Sequence, residues 1–216
     1  MQKINYQKLM ENEIAHNRQE QKVPALLLHS CCAPCSSYVL EYLSQYFSIT
    51  VFYYNPNISP KEEYEARTEE VQRLIRELPA VHPIRFVEGK YDPECYYEAV
   101  RGHEKDPEGG ERCGICFEMR LREAAKLAAE GGYDWFTTTL TISPLKNAGR
   151  LNTIGQAMGE EYHVAFLPSD FKKKEGYKRS IELSAQYHLY RQNYCGCVFS
   201  KREREEQMQK ERQETS

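Results

Sequence analysis

The stretch Val23 to Cys35, VPALLLHSCCAPC, decides how the rest of the chain is read. Val23–Leu28 is a short apolar run of the kind shown by a strand buried on both faces of a parallel sheet. It ends in His29-Ser30-Cys31-Cys32, after which Ala33-Pro34 opens a helical pattern carried by Tyr38, Leu40, Leu43 and Phe47. Proline suits a first helical turn, where its missing N–H had no partner to lose. The adjacent thiols therefore fall at a strand-to-helix turn, beside unpaired backbone N–H groups that favour anionic sulfur.

Outward from that turn the alternation repeats. Ile49–Tyr54 reads as the second strand, Ile84–Val87 as the third, Trp135–Thr138 as the fourth and His163–Leu167 as the fifth. The intervening helices run from Ser59 or Pro60 to about Leu78, near Glu94–Val100, over Cys113–Glu130 with a stop at Gly131-Gly132, over Asn147–Gly159 and over Tyr177–Leu189. Strands and helices alternating in this way predict a doubly wound α/β sheet, in which chemistry gathers beyond the carboxyl ends of the strands. Cys31-Cys32, Thr137-Thr138-Thr139 and Ser169-Asp170 all fall just after strands, so one site can collect them. The expected organisation is a polar leader over residues 1–22, a single α/β domain over 23–200 and a charged tail over 201–216, a frayed helix or disordered extension. No internal repeat, G-x-G-x-x-G fingerprint or Walker A loop is present.

A chain of 216 residues suffices for one sizeable core. Its net charge of −3 argues against a general nucleic-acid coat protein, but the charge is unevenly spread. Phe171–Arg202 carries eight Lys or Arg against two acidic residues, interleaved with Tyr177, Tyr187, Tyr190 and Tyr194. Such a stretch can grip a phosphate backbone and stack on bases, or it is a solvated helix face with its tyrosines turned inward. The amino terminus has no apolar core for a signal peptide and no apolar run is long enough to span a membrane, so a cytoplasmic protein is expected.

In that compartment clustered cysteines point to metal or redox chemistry rather than to a disulfide scaffold. Six of the eight cysteines form tight pairs: Cys31-Cys32, Cys113-Gly-Ile-Cys116 and Cys195-Gly-Cys197. For Cys31, Cys32, Cys113 and Cys116, a [4Fe–4S] cluster, zinc and metal-free thiol chemistry are all open; the adjacent pair suits a larger cluster, whose irons are separate. Cys195 and Cys197 can close only a small, strained disulfide ring, which suits a redox shuttle, with a further metal-ligand pair as the alternative. Cys35 reads as a spare ligand or a packed side chain, and Cys95 as structural. Asp170 fits an acid, a ligand or a helix cap.

Five motifs carry a resemblance: His29–Cys35 (HSCCAPC), Gly109–Arg122 (GGERCGICFEMRLR), Phe136–Asn147 (FTTTLTISPLKN), Asp170–Ser180 (DFKKKEGYKRS) and Tyr190–Ser200 (YRQNYCGCVFS). Together they resemble the QueH family of epoxyqueuosine reductases, the cobalamin-independent type, over about Ala25 to Ser200. The resemblance implies an oxidoreductase on a single Rossmann-like (HUP-type) domain, with a mostly parallel five-stranded sheet flanked by helices. Its reaction would be the last step of queuosine biosynthesis, removal of the epoxide oxygen from epoxyqueuosine at the wobble position of tRNA. It further implies Cys31, Cys32, Cys113 and Cys116 as ligands of a [4Fe–4S] cluster, Cys195 and Cys197 as a redox-active pair, and an additional iron with Asp170 among its candidate ligands. Partners would be tRNA carrying epoxyqueuosine and an external electron donor, with no membrane. Two other readings compete. An ATP-pyrophosphatase-type tRNA-modifying enzyme should show a Ser-Gly-Gly-x-Asp-Ser loop where Ser30–Cys35 stands. A zinc-stabilised RNA-binding module leaves Cys195-Gly-Cys197 idle.

Overall fold

Three consecutive leucines, Leu26, Leu27 and Leu28, are fully buried because their strand is central and covered on both faces. A computed structural model describes residues 4–214; residues 1–3 of the expected leader and 215–216 of the expected tail lie outside the described residues. In chain order the elements are α1 (Tyr6–Gln19), β1 (Ala25–His29), α2 (Ala33–Leu43), β2 (Ser48–Tyr53), α3 (Lys61–Glu77), β3 (Ile84–Glu88), α4 (Pro93–Ala99), α5 (Glu111–Glu130), β4 (Trp135–Thr138), a 3-10 turn (Thr139–Ile142), α6 (Ala148–Tyr162), β5 (Ala165–Phe166), α7 (Gly176–Gln186) and α8 (Val198–Glu214).

The five strands pair in the order β3-β2-β1-β4-β5, every pairing parallel. This is the five-stranded α/β sheet flanked by helices that the alternation predicts. Side chains of β1 divide by parity. Leu26 and Leu28 enter one core layer with Val39, Leu40 and Leu43 of α2 and Val71 and Leu74 of α3. Leu27 enters the opposite layer with Leu121, Ala124 and Ala125 of α5 and Leu151 of α6. β1 has β2 on one side and β4 on the other, so the chain reverses its direction of travel across the sheet there, and the crevice at their carboxyl ends is where such folds bind ligands.

Three details differ from expectation. α6 runs on to Tyr162 and closes with His163 in the left-handed region (φ 57°), which removes His163 from the strand and leaves β5 only Ala165 and Phe166. α1 lies against the sheet layer with Met10 and Ile14 buried in its core. α8 begins at Val198, before the charged tail, and Glu203 within it pairs with the buried Arg112 at 2.7 Å. Among the described residues, no helix is long and apolar enough to cross a membrane.

Candidate active site

The end of β1 delivers the first group of thiols. Cys32 is the extended residue preceding α2 (φ −172°, ψ 163°), and Pro34 occupies the first helical turn. Cys35, one turn into α2, faces back toward the strand end, so the sulfurs of Cys31, Cys32 and Cys35 lie within 4.8 Å of one another. Cys31 Sγ is 3.8 Å from Cys32 Sγ and 3.7 Å from the Thr139 hydroxyl that follows β4. Hydrogen bonding from the Cys32 and Cys35 thiols, aided by Lys146 and Arg120, holds Cys31 well below the ordinary thiol range. The same exchange pushes Cys32 up to about 12 and Cys35 upward, so Cys31 is the first of the three to ionise.

α5 delivers the second group. Cys113 accepts the Gly109 N–H at 3.2 Å, and Cys116 lies one turn further, buried. The glycine between them has a packing reason. A Cβ at Gly114 would fall 1.8 Å from Nη2 of Arg150, whose guanidinium crosses the helix there and donates Nη1 to Gly110 O at 3.0 Å and Nη2 to Glu111 at 2.8 Å.

The turn before α8 delivers the third. Cys195 Sγ and Cys197 Sγ are 3.6 Å apart and both are free thiols. Cys197 immediately precedes α8, and its sulfur accepts the Ser200 N–H at 3.4 Å, while the Ser200 hydroxyl stands 3.1 Å from Cys195 Sγ. The Cys195 thiol and then Ser200 lower Cys197 to about 6; the reciprocal contact and burial raise Cys195. Gly196 is required between them: its φ of 117° is in the glycine region, and a Cβ would sit 2.9 Å from Ile58. Its carbonyl accepts the Ser59 N–H at 3.0 Å, and buried Arg67 donates Nη1 to Cys195 O at 3.1 Å, pinning the turn to α3 and the loop before it.

Two adjoining cavities join these groups. One, of about 180 Å³, is lined by Cys31, Cys32, Cys35 and Cys195 together with Tyr177, Arg191 and Tyr194. The other, about 80 Å³, is lined by Cys113, Cys116, Cys195 and Cys197. Arg120, Lys146 and Cys195 line both. Arg120 is 3% exposed and ties the groups together. It donates Nε to His29 Nε2 at 3.2 Å and Nη2 to Asn55 at 2.5 Å, and its Nη1 is 3.9 Å from Cys116 Sγ. His29 is buried, and desolvation and the Arg120 charge push it down to about 3, so it is a neutral ring. Its Nε2 faces both Arg120 Nε and the Tyr54 carbonyl, the latter at 3.1 Å, and its Nδ1 lies 2.9 Å from Thr138 Oγ1.

Asp170 stands elsewhere. It pairs with Lys172 at 3.1 Å and lines a cavity with Asn147 and Lys173 that contains no cysteine. Lys172 is likewise committed inward, donating to Thr141 O at 2.9 Å. Cys95 donates to Asp92 O at 2.8 Å and is not among the residues lining either cysteine cavity. The residues that sequence reasoning passed over are Arg120 and Lys146; Cys35, read as a spare ligand or a packed side chain, joins the first thiol group. Cys32-Ala-Pro-Cys35 has the one-turn spacing that returns a second sulfur to a helix start, and Arg120 follows Cys116 by four residues, on the same helix face.

A family model described as epoxyqueuosine reductase QueH matches residues 26–203. The chain is 46% identical over 201 residues to an epoxyqueuosine reductase QueH of Streptococcus pyogenes serotype M1, covering 92% of this chain and 79% of that protein. It is 44% identical over 203 residues to one from Staphylococcus epidermidis, covering 92% of this chain and 85% of the other. With one from Haemophilus influenzae it shares 40% over 180 residues, covering 82% and 72%.

Proposed function

Because the chain belongs to the epoxyqueuosine reductase QueH family, we propose that its joined cavities reduce the epoxide of epoxyqueuosine at the wobble position of tRNA to queuosine, in the cytoplasm. It is an oxidoreductase of that family. The observation that carries the reading is the meeting of three thiol groups around one buried guanidinium, Arg120.

Deoxygenation breaks two C–O bonds and consumes two electrons and two protons, releasing the oxygen as water. Cys195 and Cys197 supply both electrons when an S–S bond forms between them; Cys195 gives up its thiol proton, Cys197 reacts as the thiolate favoured by its pKa of about 6, and solvent supplies the second proton. An external reductant then restores the pair. The half-exposed Cys195 is the sulfur it attacks, and Cys197, with its lowered pKa and the Ser200 N–H, is the better leaving thiolate. Ser200, within reach of both sulfurs, holds the proton that they share.

The donor set also fits a metal centre: soft thiol ligands stand on both walls, with Glu108 the one carboxylate lining the two cavities. Cys31, Cys32, Cys113 and Cys116 would hold a [4Fe–4S] cluster, and Cys35 remains as a fifth thiol for an additional iron. Such a group supplies single electrons and a Lewis-acidic iron for the departing oxygen. Asp170 takes a supporting part: its ion pair with Lys172 steadies the loop from Thr141 to Lys146, which presents Lys146 to the thiols.

The larger of the two cavities, about 180 Å³, is far too small for an RNA strand. The tRNA must dock outside and insert one splayed base, the common mode for RNA loops. Exposed Lys173, Lys178 and Arg191, with Tyr190, stand on the segment beside the cavity. The test uses the iron-loaded protein and a strong reductant with epoxyqueuosine-containing tRNA. Wild type turns over repeatedly, whereas Cys197→Ser retains its iron and sulfide and loses sustained turnover; full activity in that variant would remove the dithiol from the reaction.

A further inference from the structure

Arg120 presents an electrostatic problem that its hydrogen bonds leave open. A guanidinium keeps its charge at any pH a protein meets, and an unpaired buried charge costs several kcal/mol. Arg67 and Arg112, the other deeply buried arginines, each have a carboxylate: Glu63 at 2.7 Å and Glu203 at 2.7 Å. Arg120 has none among the described residues. Its partners are the Asn55 amide, the neutral His29 ring and the Cys116 sulfur. The groups that favour its charge are Cys116, Cys31 and Cys195, all of them sulfur. Three of its five N–H directions are taken by these neighbours, which leaves donors for a further acceptor in the cavities it lines. Lys146 repeats the pattern: it lines both cavities, and Cys31, Cys35 and Cys195 are what favour its charge.

Arg120 and Lys146 together need more negative charge than Glu108, the one carboxylate on the walls of these two cavities, provides. Four thiolates around a cluster core of charge +2 give a net −2, an anion of the required sign at the required place.

We propose that Arg120 is the buried counter-charge of the cysteine-held metal centre, bridging its Cys31 and Cys116 arms and setting the potential at which the centre accepts an electron. This rests on the cluster reading above. The His29–Thr138 hydrogen bond fixes the ring that orients Nε, so Arg120 is a positioning residue whose charge faces the thiols and takes no part in bond making. A fixed positive charge stabilises the more negative, reduced state, and so raises the midpoint potential.

The experiment compares anaerobically loaded wild type, Arg120→Gln and Arg120→Lys by iron and sulfide analysis and by potentiometric titration with dithionite followed by electron paramagnetic resonance. Arg120→Gln should shift the midpoint to more negative values, and Arg120→Lys, which keeps the charge, should stay near wild type. An unchanged midpoint in Arg120→Gln would overturn this inference and leave the cluster reading standing. A wild type with no reducible iron–sulfur signal would overturn the cluster reading, and the inference with it. Should Arg120→Gln fail to hold iron, Arg120→Lys decides: retention near wild type supports the counter-charge, and equal loss overturns it.

Discussion

Cys197 and Cys195 differ in their distance from the start of α8. Cys197 stands directly before the helix and receives the Ser200 N–H, whereas Cys195 is two residues back on a turn pinned by Arg67 and Ser59. Their roles should therefore separate. With a small symmetric disulfide, whose S–S bond supplies the oxidising equivalents and releases one thiol, Cys197→Ser should form a mixed disulfide on the partly exposed Cys195, detected as an added mass, and Cys195→Ser should form one on the buried Cys197 much more slowly. The reverse pattern would exchange the two roles. Cys197 is depressed to about 6, so its thiolate is present above that pH and lost as pH falls through it. Its alkylation rate, followed peptide by peptide by mass spectrometry in the folded reduced protein, should be flat near neutrality and fall by half at about pH 6. Ser200→Ala should move that midpoint upward; a wild-type midpoint near the ordinary thiol value of about 8.5 would contradict the assignment. Both cysteines are legible in the sequence because their pairing is local. Arg120 is not, since nothing in one sequence shows that an arginine on α5 will be buried between sulfurs from β1, α5 and the turn before α8.

Elements meet closely where glycine allows it. Gly155 on α6 faces Phe166 of β5, and a Cβ there would lie 2.3 Å from the ring, which itself packs on Phe136 with centroids 5.1 Å apart. Gly155→Ala gains at most about 1 kcal/mol of helix propensity and loses about 1–3 kcal/mol to overpacking. The expected outcome is a net loss of about 1–2 kcal/mol and a melting temperature lower by about 2–8 °C. An equal or higher value would show that α6 can move away from β5 freely. Elements were also the most legible level of this chain. β1 through β4 follow from apolar runs closed by turn residues, and Gly131 stops α5 where a helix-ending glycine should. β5 was overextended because the sequence around His163 does not reveal that α6 continues to Tyr162 and ends in a left-handed residue. The polar composition of α1 similarly conceals Met10 and Ile14, whose burial depends on the sheet layer that they cover.

At the scale of the molecule, the basic, tyrosine-rich segment acquires direction. Lys172 is drawn inward to Asp170 and Thr141, so it is removed from the set that can meet RNA, while Lys173 and Arg191 stay exposed. Reversing both charges, Lys173→Glu with Arg191→Glu, should weaken tRNA binding across sequences and reduce the slope of log affinity against log salt by about 2. Unchanged affinity and slope would return the segment to ordinary surface. This distinction is invisible in composition, which counts Lys172 and Lys173 alike. The convergence of the cysteines is visible only in outline: the rule that sites form at strand carboxyl ends places Cys31 and Cys32, but α5 and the turn before α8 reach the same crevice through tertiary packing alone. The most direct test of that convergence as an enzyme is chemical. Iron-loaded protein incubated anaerobically with epoxyqueuosine-containing tRNA and a strong reductant should yield queuosine on nucleoside mass analysis, one oxygen atom lighter than the substrate. Recovery of epoxyqueuosine unchanged from a fully loaded, folded preparation would contradict the account.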